Sequence, residues 1–310
     1  MNARRTRAAD PVVGADLTGQ VAVVTGAGGG MGRVVVDELA RAGAHVVAVA
    51  RDAPRTERLL RETVGAHAGL EVVQADLSLR QGVVDAAAAI GRRHAQVHLL
   101  VNNAGAHFPD RRLTPDGVER HVAVDYLAGF GLTHLLQENL VAAAARVVHV
   151  ASDTLNDTRQ VKVVGRARPP RLDPAHLADL TLLNPADGFV AFEAYARAKL
   201  LTVTSGYHVA RLLRPHGVTV NSVHPGIVAT GIIDDVVPPA LRPLGPLIRR
   251  ALLTPRDGAA AALRLATDPA LAGVTGRYYH RERVATTPDV SHDAAVQQRL
   301  HDVSARWFDR

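Results

Sequence analysis

Apolar positions along this chain fall into two alternating rhythms. Short β-branched runs recur at Val21–Thr25, His45–Ala50, Glu71–Gln74, His98–Val101, Arg146–Ala151, Thr219–His224 and Arg277–His280. Each reads as a buried strand. Between them lie Ala-, Arg- and Leu-rich stretches with helical spacing. These are Met31–Ala42, stopped by Gly43, and longer stretches over Pro115–Leu140 and Ala191–Leu213. Strands and helices in alternation predict βαβ units. The expected fold is α/β, a single Rossmann-type doubly wound parallel sheet flanked by helices, spanning residues 18–310 as one domain. Residues 1–17 carry Arg4, Arg5 and Arg7 with no apolar run behind them, and read as a disordered basic tail.

Two segments break the rhythm. Residues 153–188 hold Pro169, Pro170, Pro174 and Pro185 among several arginines, and form a polar insertion too long for an ordinary connection. Residues 231–255 are apolar but proline-rich, which rules out a simple strand or one long helix. They read as a lid of short helices beside a site.

Composition narrows the chemistry. The 310 residues are 47% hydrophobic, enough for a large core. Cysteine is absent, which removes disulfides, thiolate nucleophiles and Cys-based zinc sites. This fits a reducing compartment, and a cytoplasmic setting is expected. The net charge is +6, but the arginines are scattered and aromatics make up only 4%. A solvated basic surface is expected rather than a nucleic-acid stripe. No apolar run predicts stable membrane insertion. The fifteen histidines show no H-E-x-x-H or comparable pair, so they are expected on surfaces and loops, with no metal site.

Three features carry candidate chemistry. Thr25-Gly-Ala-Gly-Gly-Gly-Met-Gly32 joins the first strand to the first helix, and Gly26, Gly30 and Gly32 set its spacing. Such a turn brings backbone N–H groups and a helix N-terminus to a pyrophosphate. The second strand ends Ala50-Arg51-Asp52. A carboxylate there would take a ribose hydroxyl, whereas Arg51 suits a 2′-phosphate, with Asp52 as its competitor. Asp76 ends the third strand, placed to meet adenine or to cap the next helix. The third feature is Tyr195-x-x-x-Lys199. The chain has only two lysines, Lys162 and Lys199, so this spacing stands out. Four residues apart on a helix share a face. The ammonium is expected to pull the phenol's pKa down and make it a general acid/base.

Together these motifs resemble the short-chain dehydrogenase/reductase family. The resemblance covers most of residues 18–280 and runs in family order through the glycine turn, Asn102-Asn-Ala-Gly105, Ser152, the Tyr195/Lys199 pair, Pro225-Gly226 and Thr230. It implies Ser152, Tyr195 and Lys199 as the catalytic set, with Asp125 as its fourth member. It further implies cofactor contacts from Thr25, Gly26, Gly30, Met31, Gly32, Arg51, Asp76, Leu77, Asn103, Ala104, Gly105, Tyr195, Lys199, Pro225, Gly226 and Thr230. Two positions depart from the pattern. Asp125 stands where the family has an asparagine that helps hold a water leading to the lysine. The gap from Ser152 to Tyr195 exceeds the family's usual one, which leaves Asp153 and Thr154 as alternatives to the serine.

A closer resemblance, carried by Leu113-Thr-Pro-Asp-Gly-Val-Glu119, Val223-His-Pro-Gly226 and Thr254-Pro-Arg-Asp-Gly-Ala-Ala260, is to the retinol-dehydrogenase-like branch. The implied activity is NAD(P)-dependent interconversion of an alcohol and a carbonyl on a lipophilic small molecule. NADP(H) is the preferred cofactor and NAD(H) the alternative. A homo-oligomer is common among look-alikes. The rival reading is a nucleotide-bound scaffold or regulatory protein without turnover.

Overall fold

The structure, a computed structural model, describes residues 15–64, 69–159, 167–229 and 252–310. Eight strands form one sheet in the order β3-β2-β1-β4-β5-β6-β7-β8. They are β1 (Val21–Thr25), β2 (His45–Ala50), β3 (Leu70–Gln74), β4 (Leu99–Asn102), β5 (Arg146–Val150), β6 (Thr219–His224), β7 (Tyr278–His280) and β8 (Arg283–Val284). All neighbours pair in parallel except β7 with β8, a short hairpin absent from the sequence reading. The order reverses direction between β1 and β4, which opens a crevice at the carboxyl ends of those strands.

Helices cover both faces. On one side α1 (Gly30–Arg41), α2 (Ala53–Val64) and α7 (Pro255–Thr267) enclose a cluster that includes Val24, Val36, Leu39, Val46, Leu60 and Leu263. On the other, α3 (Arg80–Arg93), α4 (Ala128–Leu135), α5 (Gln137–Ala142), α6 (Ala191–Leu213) and α8 (Ala294–Phe308) enclose Val47, Ile90, Leu100, Leu132, Leu201 and Leu300. Central strands such as β4 and β6 are buried along their whole length, as a sheet covered on both faces requires.

Beyond one-residue shifts at several strand and helix ends, three features differ from expectation. The helix predicted over Pro115–Leu140 does not start at Pro115. Pro115-Asp116-Gly117 makes a tight turn, closed by Thr114 N–H reaching the Val118 carbonyl (2.8 Å), with Gly117 at φ +80°. Asp116 instead accepts the backbone N–H of Arg80 at the start of α3 (2.8 Å). Further on, residues Val122–Leu127 form a π-helical turn, and the helix breaks again between α4 and α5. Near the amino end, Leu17 is buried and its N–H bonds to the Ala42 carbonyl (2.8 Å), so ordered packing begins before residue 18. Finally, the insertion 153–188 is not merely polar. Its described parts form short 3-10 turns, with Leu177, Leu180 and the neighbouring Leu183 buried in the core on the α3–α8 face and Leu155 buried with Leu200 and Val203 of α6.

Candidate active site

The glycine turn is built around contacts that admit no side chain. Gly26 has φ +65°, and a Cβ there would lie 2.9 Å from the Ala104 Cα. A Cβ on Gly32 would lie 2.2 Å from the Gly26 carbonyl oxygen and 2.8 Å from Asn103 Nδ2. Asn103 Nδ2 donates to the Thr25 carbonyl (2.9 Å), and the Ala104 N–H donates to Thr25 Oγ1 (2.9 Å). The end of β4 thus ties down the end of β1, and α1 starts from Gly29–Gly30 with extended backbone before it. Met31 lies in the first turn of α1, and a Cβ on Gly258 would lie 2.9 Å from its sulfur. This cradle fits the pyrophosphate of a dinucleotide, because backbone can approach the phosphates where no Cβ stands in the way.

The other cofactor candidates flank the same crevice. Arg51 is exposed immediately after β2. Asp52 is already engaged, its Oδ1 accepting the Arg55 N–H (3.1 Å) at the start of α2. Asp76 Oδ1 accepts from the Ser78 N–H (3.0 Å) and hydroxyl (2.7 Å), so it closes the turn before α3 and does not cap the helix itself. Leu77 points its side chain into the core, which leaves only its backbone to face a ligand. Pro225 and Gly226 follow β6, with Gly226 at φ +94° and no room for a Cβ beside Leu253 (2.5 Å). Thr230 and most of the expected lid lie outside the described residues. The lid's foot is visible, where Leu253 bridges to Val228 and Thr254 caps α7 in a reciprocal capping box with Asp257.

The reactive groups converge on α6, whose range coincides with the expected one. Tyr195 and Lys199 lie one turn apart, the Lys199 nitrogen 5.6 Å from the phenol ring centre. Despite the long insertion, Ser152 stands beside Tyr195, near enough for its hydroxyl to favour the phenolate. Ser152 stands in extended backbone just past β5, where its Oγ also accepts the Thr154 N–H (3.3 Å). Asp153 turns instead to Asn156, whose Nδ2 donates to it (3.0 Å).

Asp125 departs furthest from the expected relay. It sits in the π-helical turn, and its Oδ1 lies 3.1 Å from Lys199 Nζ and accepts the Ala106 N–H (3.0 Å). Its backbone carbonyl takes the Thr202 hydroxyl (2.8 Å). Lys199 also donates to the Val150 carbonyl (3.1 Å). Gly105 makes room for this pair, since a Cβ there would lie 2.7 Å from Asp125 Oδ1 and 3.0 Å from Lys199 Nζ. π-helical turns occur disproportionately at functional sites, and this one aims a carboxylate at the lysine.

These charges correct one expectation. The Tyr195 pKa is raised, not lowered. Burial dominates by disfavouring the phenolate, Lys199 opposes it, and the Asp125 carboxylate adds to the rise, with the Ser152 hydroxyl pulling back. The Asp125 carboxyl is itself raised, because burial outweighs the pull of Lys199 and His121. For Lys199, burial works against the ammonium, but Asp125 and Tyr195 prevail and its pKa is raised.

The sequence reading missed a polar and aromatic wall beside Tyr195. The rings of His107 and His121 lie with centroids 6.1 and 6.2 Å from that of Tyr195. Phe192 lies 6.4 Å from His107, and Phe189 6.5 Å from His121. His121 is fully buried, its Nδ1 2.9 Å from Glu119 Oε1 and its Nε2 accepting the Phe108 N–H (3.0 Å). Glu119 Oε2 also accepts Asn184 Nδ2 (2.7 Å), and Arg197 of α6 bonds Asn184 Oδ1. The network fastens the insertion to the π-helical turn and to α6.

Comparison with known proteins bears on this geometry. The short chain dehydrogenase family model matches residues 20–164. Human retinol dehydrogenase 11 is 31% identical over 93% of this chain and 85% of its own length. Human polyprenol dehydrogenase is 30% identical over 91% and 82%. The chain belongs to the short-chain dehydrogenase family. Within that family it resembles the retinol-dehydrogenase-like branch, and the family's chemistry is NAD(P)-linked oxidoreduction of alcohols and carbonyls. Among solved structures, the active-site complex of RhlG with NADP from Pseudomonas aeruginosa superposes with a TM-score of 0.63 at 25% identity, over 86% of this chain and 95% of that one. Among the described residues no helix is long and apolar enough to cross a membrane.

Proposed function

We propose that this short-chain dehydrogenase transfers hydride between NADP(H) and a lipophilic alcohol or carbonyl, with Tyr195 as the proton donor and acceptor. The observation that carries the reading is the convergence of Ser152, Tyr195 and Lys199 in a buried site beside the glycine cradle. Ser152 orients the reacting oxygen, and Tyr195 moves the proton to or from it. Lys199 stabilises the phenolate and is itself held by Asp125 and the Val150 carbonyl. The nicotinamide, when bound, supplies or accepts the hydride. A raised Tyr195 pKa favours the protonated phenol, the form that gives its proton to a carbonyl oxygen during reduction.

NADP(H) preference is supported by Arg51, free to meet a 2′-phosphate while Asp52 is engaged by α2. A lipophilic substrate is supported by Phe189 and Phe192 near the site and by Val190 and Ile227, half or more exposed on neighbouring segments. The lack of cysteine supports a cytoplasmic setting. The experiment is a panel of lipophilic and polar aldehydes, ketones and alcohols assayed with NADPH and NADH. Turnover with NADPH on lipophilic carbonyls supports the reading. Cofactor binding without turnover on any of them favours the scaffold alternative.

A further inference from the structure

The amino end of the sheet, opposite the strand ends that lead to Tyr195, gathers three donors from separate elements. His45 opens β2, Glu71 is the second residue of the edge strand β3, and His94 follows the last residue of α3. One donor atom from each lies within 4.8 Å of the others. His94 Nε2 is 3.1 Å from Glu71 Oε2, and His45 Nε2 is 3.8 Å from the same oxygen. A tetrahedral zinc ion with bonds of about 2.0–2.2 Å holds its ligand atoms about 3.3–3.6 Å apart. The two separations to the carboxylate bracket that range.

The surroundings favour an ion over a plain hydrogen-bonded cluster. His45 Nε2 is enclosed and makes no hydrogen bond, although it faces the carboxylate. The rings of His45 and His94 lie 5.0 Å apart and tilted by 49°, both bordering the same oxygen. Arg93 bonds the other carboxylate oxygen, Oε1, and orients Glu71, while Oε2 shares a hydrogen bond with His94 Nε2 (3.1 Å) that a bound cation would replace. Asn139 Nδ2 donates to the His94 carbonyl (2.8 Å) and fixes the backbone carrying that ligand. The carboxyl end of α3 adds a partial negative charge. Arg93 opposes a cation, so a weaker site than a buried all-histidine centre is expected.

We propose that His45, Glu71 and His94 bind one divalent ion of the zinc class. Two imidazoles and one carboxylate suit zinc and its transition-metal neighbours, not magnesium or calcium, which take oxygen ligands. The ion would clip the end of α3 to the outer strands, far from the hydride-transfer chemistry, so its effect is on stability.

The test uses the full chain, stripped with a chelator and titrated with zinc chloride against a chromophoric competitor. Melting is followed in parallel, for the wild type and for His45→Asn, Glu71→Gln and His94→Asn. The expected result is one competed equivalent in the wild type and at least tenfold weaker binding in each variant. Zinc should raise the wild-type melting temperature and leave the variants unmoved, with turnover unchanged in all. Cobalt should give visible tetrahedral absorption in the wild type that each variant loses, a readout that remains if one variant folds poorly. Wild-type affinity retained in both histidine variants, or no zinc-dependent rise in melting temperature, overturns the proposal.

Discussion

Asp125 Oδ1 lies 3.1 Å from Lys199 Nζ, with both side chains almost wholly sealed from solvent. A carboxylate here attracts the ammonium and repels the phenolate of Tyr195, one turn away. It therefore acts on the proton step through Lys199 and Tyr195 without touching substrate, as a positioning residue.

The first prediction concerns that carboxylate. Asp125 contributes to the raised Tyr195 pKa, after burial and against Lys199. Asp125→Asn keeps an acceptor for the Ala106 N–H and for Lys199 but removes the negative charge. The pH profiles of oxidation and of reduction should both move to lower pH, because the phenolate forms more readily. Initial rates across pH in each direction check this, and an unmoved profile would show that only the hydrogen bonds of Asp125 matter.

Acid stability should depend on His149. It is buried between β5 and α6, and burial, reinforced by Lys199, lowers its pKa to about 4. The unfolded chain takes up this proton near pH 6.5, so stability is fully present above that pH and lost as pH falls towards 4. The shift corresponds to about 3 kcal/mol. Denaturant unfolding between pH 4 and 7 should show this slope, and His149→Asn should flatten it. An equal slope in the variant would place the acid sensitivity elsewhere.

Gly32→Ala tests the cradle. Its Cβ would meet the Gly26 carbonyl oxygen at 2.2 Å. The turn must open, so the dissociation constants of NADPH and NADH should both rise by at least tenfold, while melting temperature falls modestly. Cofactor titration by fluorescence, with wild-type affinity in the variant, would show that the pyrophosphate binds elsewhere.

Cofactor choice should rest on Arg51. A charge-assisted contact to a 2′-phosphate contributes about 1.5–3 kcal/mol, or roughly ten- to a hundredfold. An Ala50→Asp/Arg51→Ala double variant should lose that NADP(H) preference. If the wild type binds NAD(H) as tightly as NADP(H), the preference itself is wrong. If the variant keeps it, another residue selects the phosphate.

Much of this was legible because local chemistry and global fold agree. The apolar runs that gave β2, β6 and α6 kept their expected ends, since each is buried on both sides or bounded by turn residues. The glycine turn was legible because the missing Cβ is itself the structural requirement. The helix predicted from Pro115 failed because Gly117 closes a local turn at positive φ and Asp116 caps α3 from 36 residues away. The direction of the Tyr195 shift was misread because spacing reveals the nearby ammonium but not the depth of burial or the carboxylate behind it. Residues 119, 121, 184 and 197 form one network, and 45, 71 and 94 another. Only packing brings either together, so no motif could announce them.

The proton-donor role of Tyr195 is tested most directly by Tyr195→Phe, assayed on the best substrate alongside NADPH binding. The expected result is turnover lower by about 10²–10⁴-fold with nearly unchanged cofactor affinity. Near wild-type turnover in the variant would contradict the account.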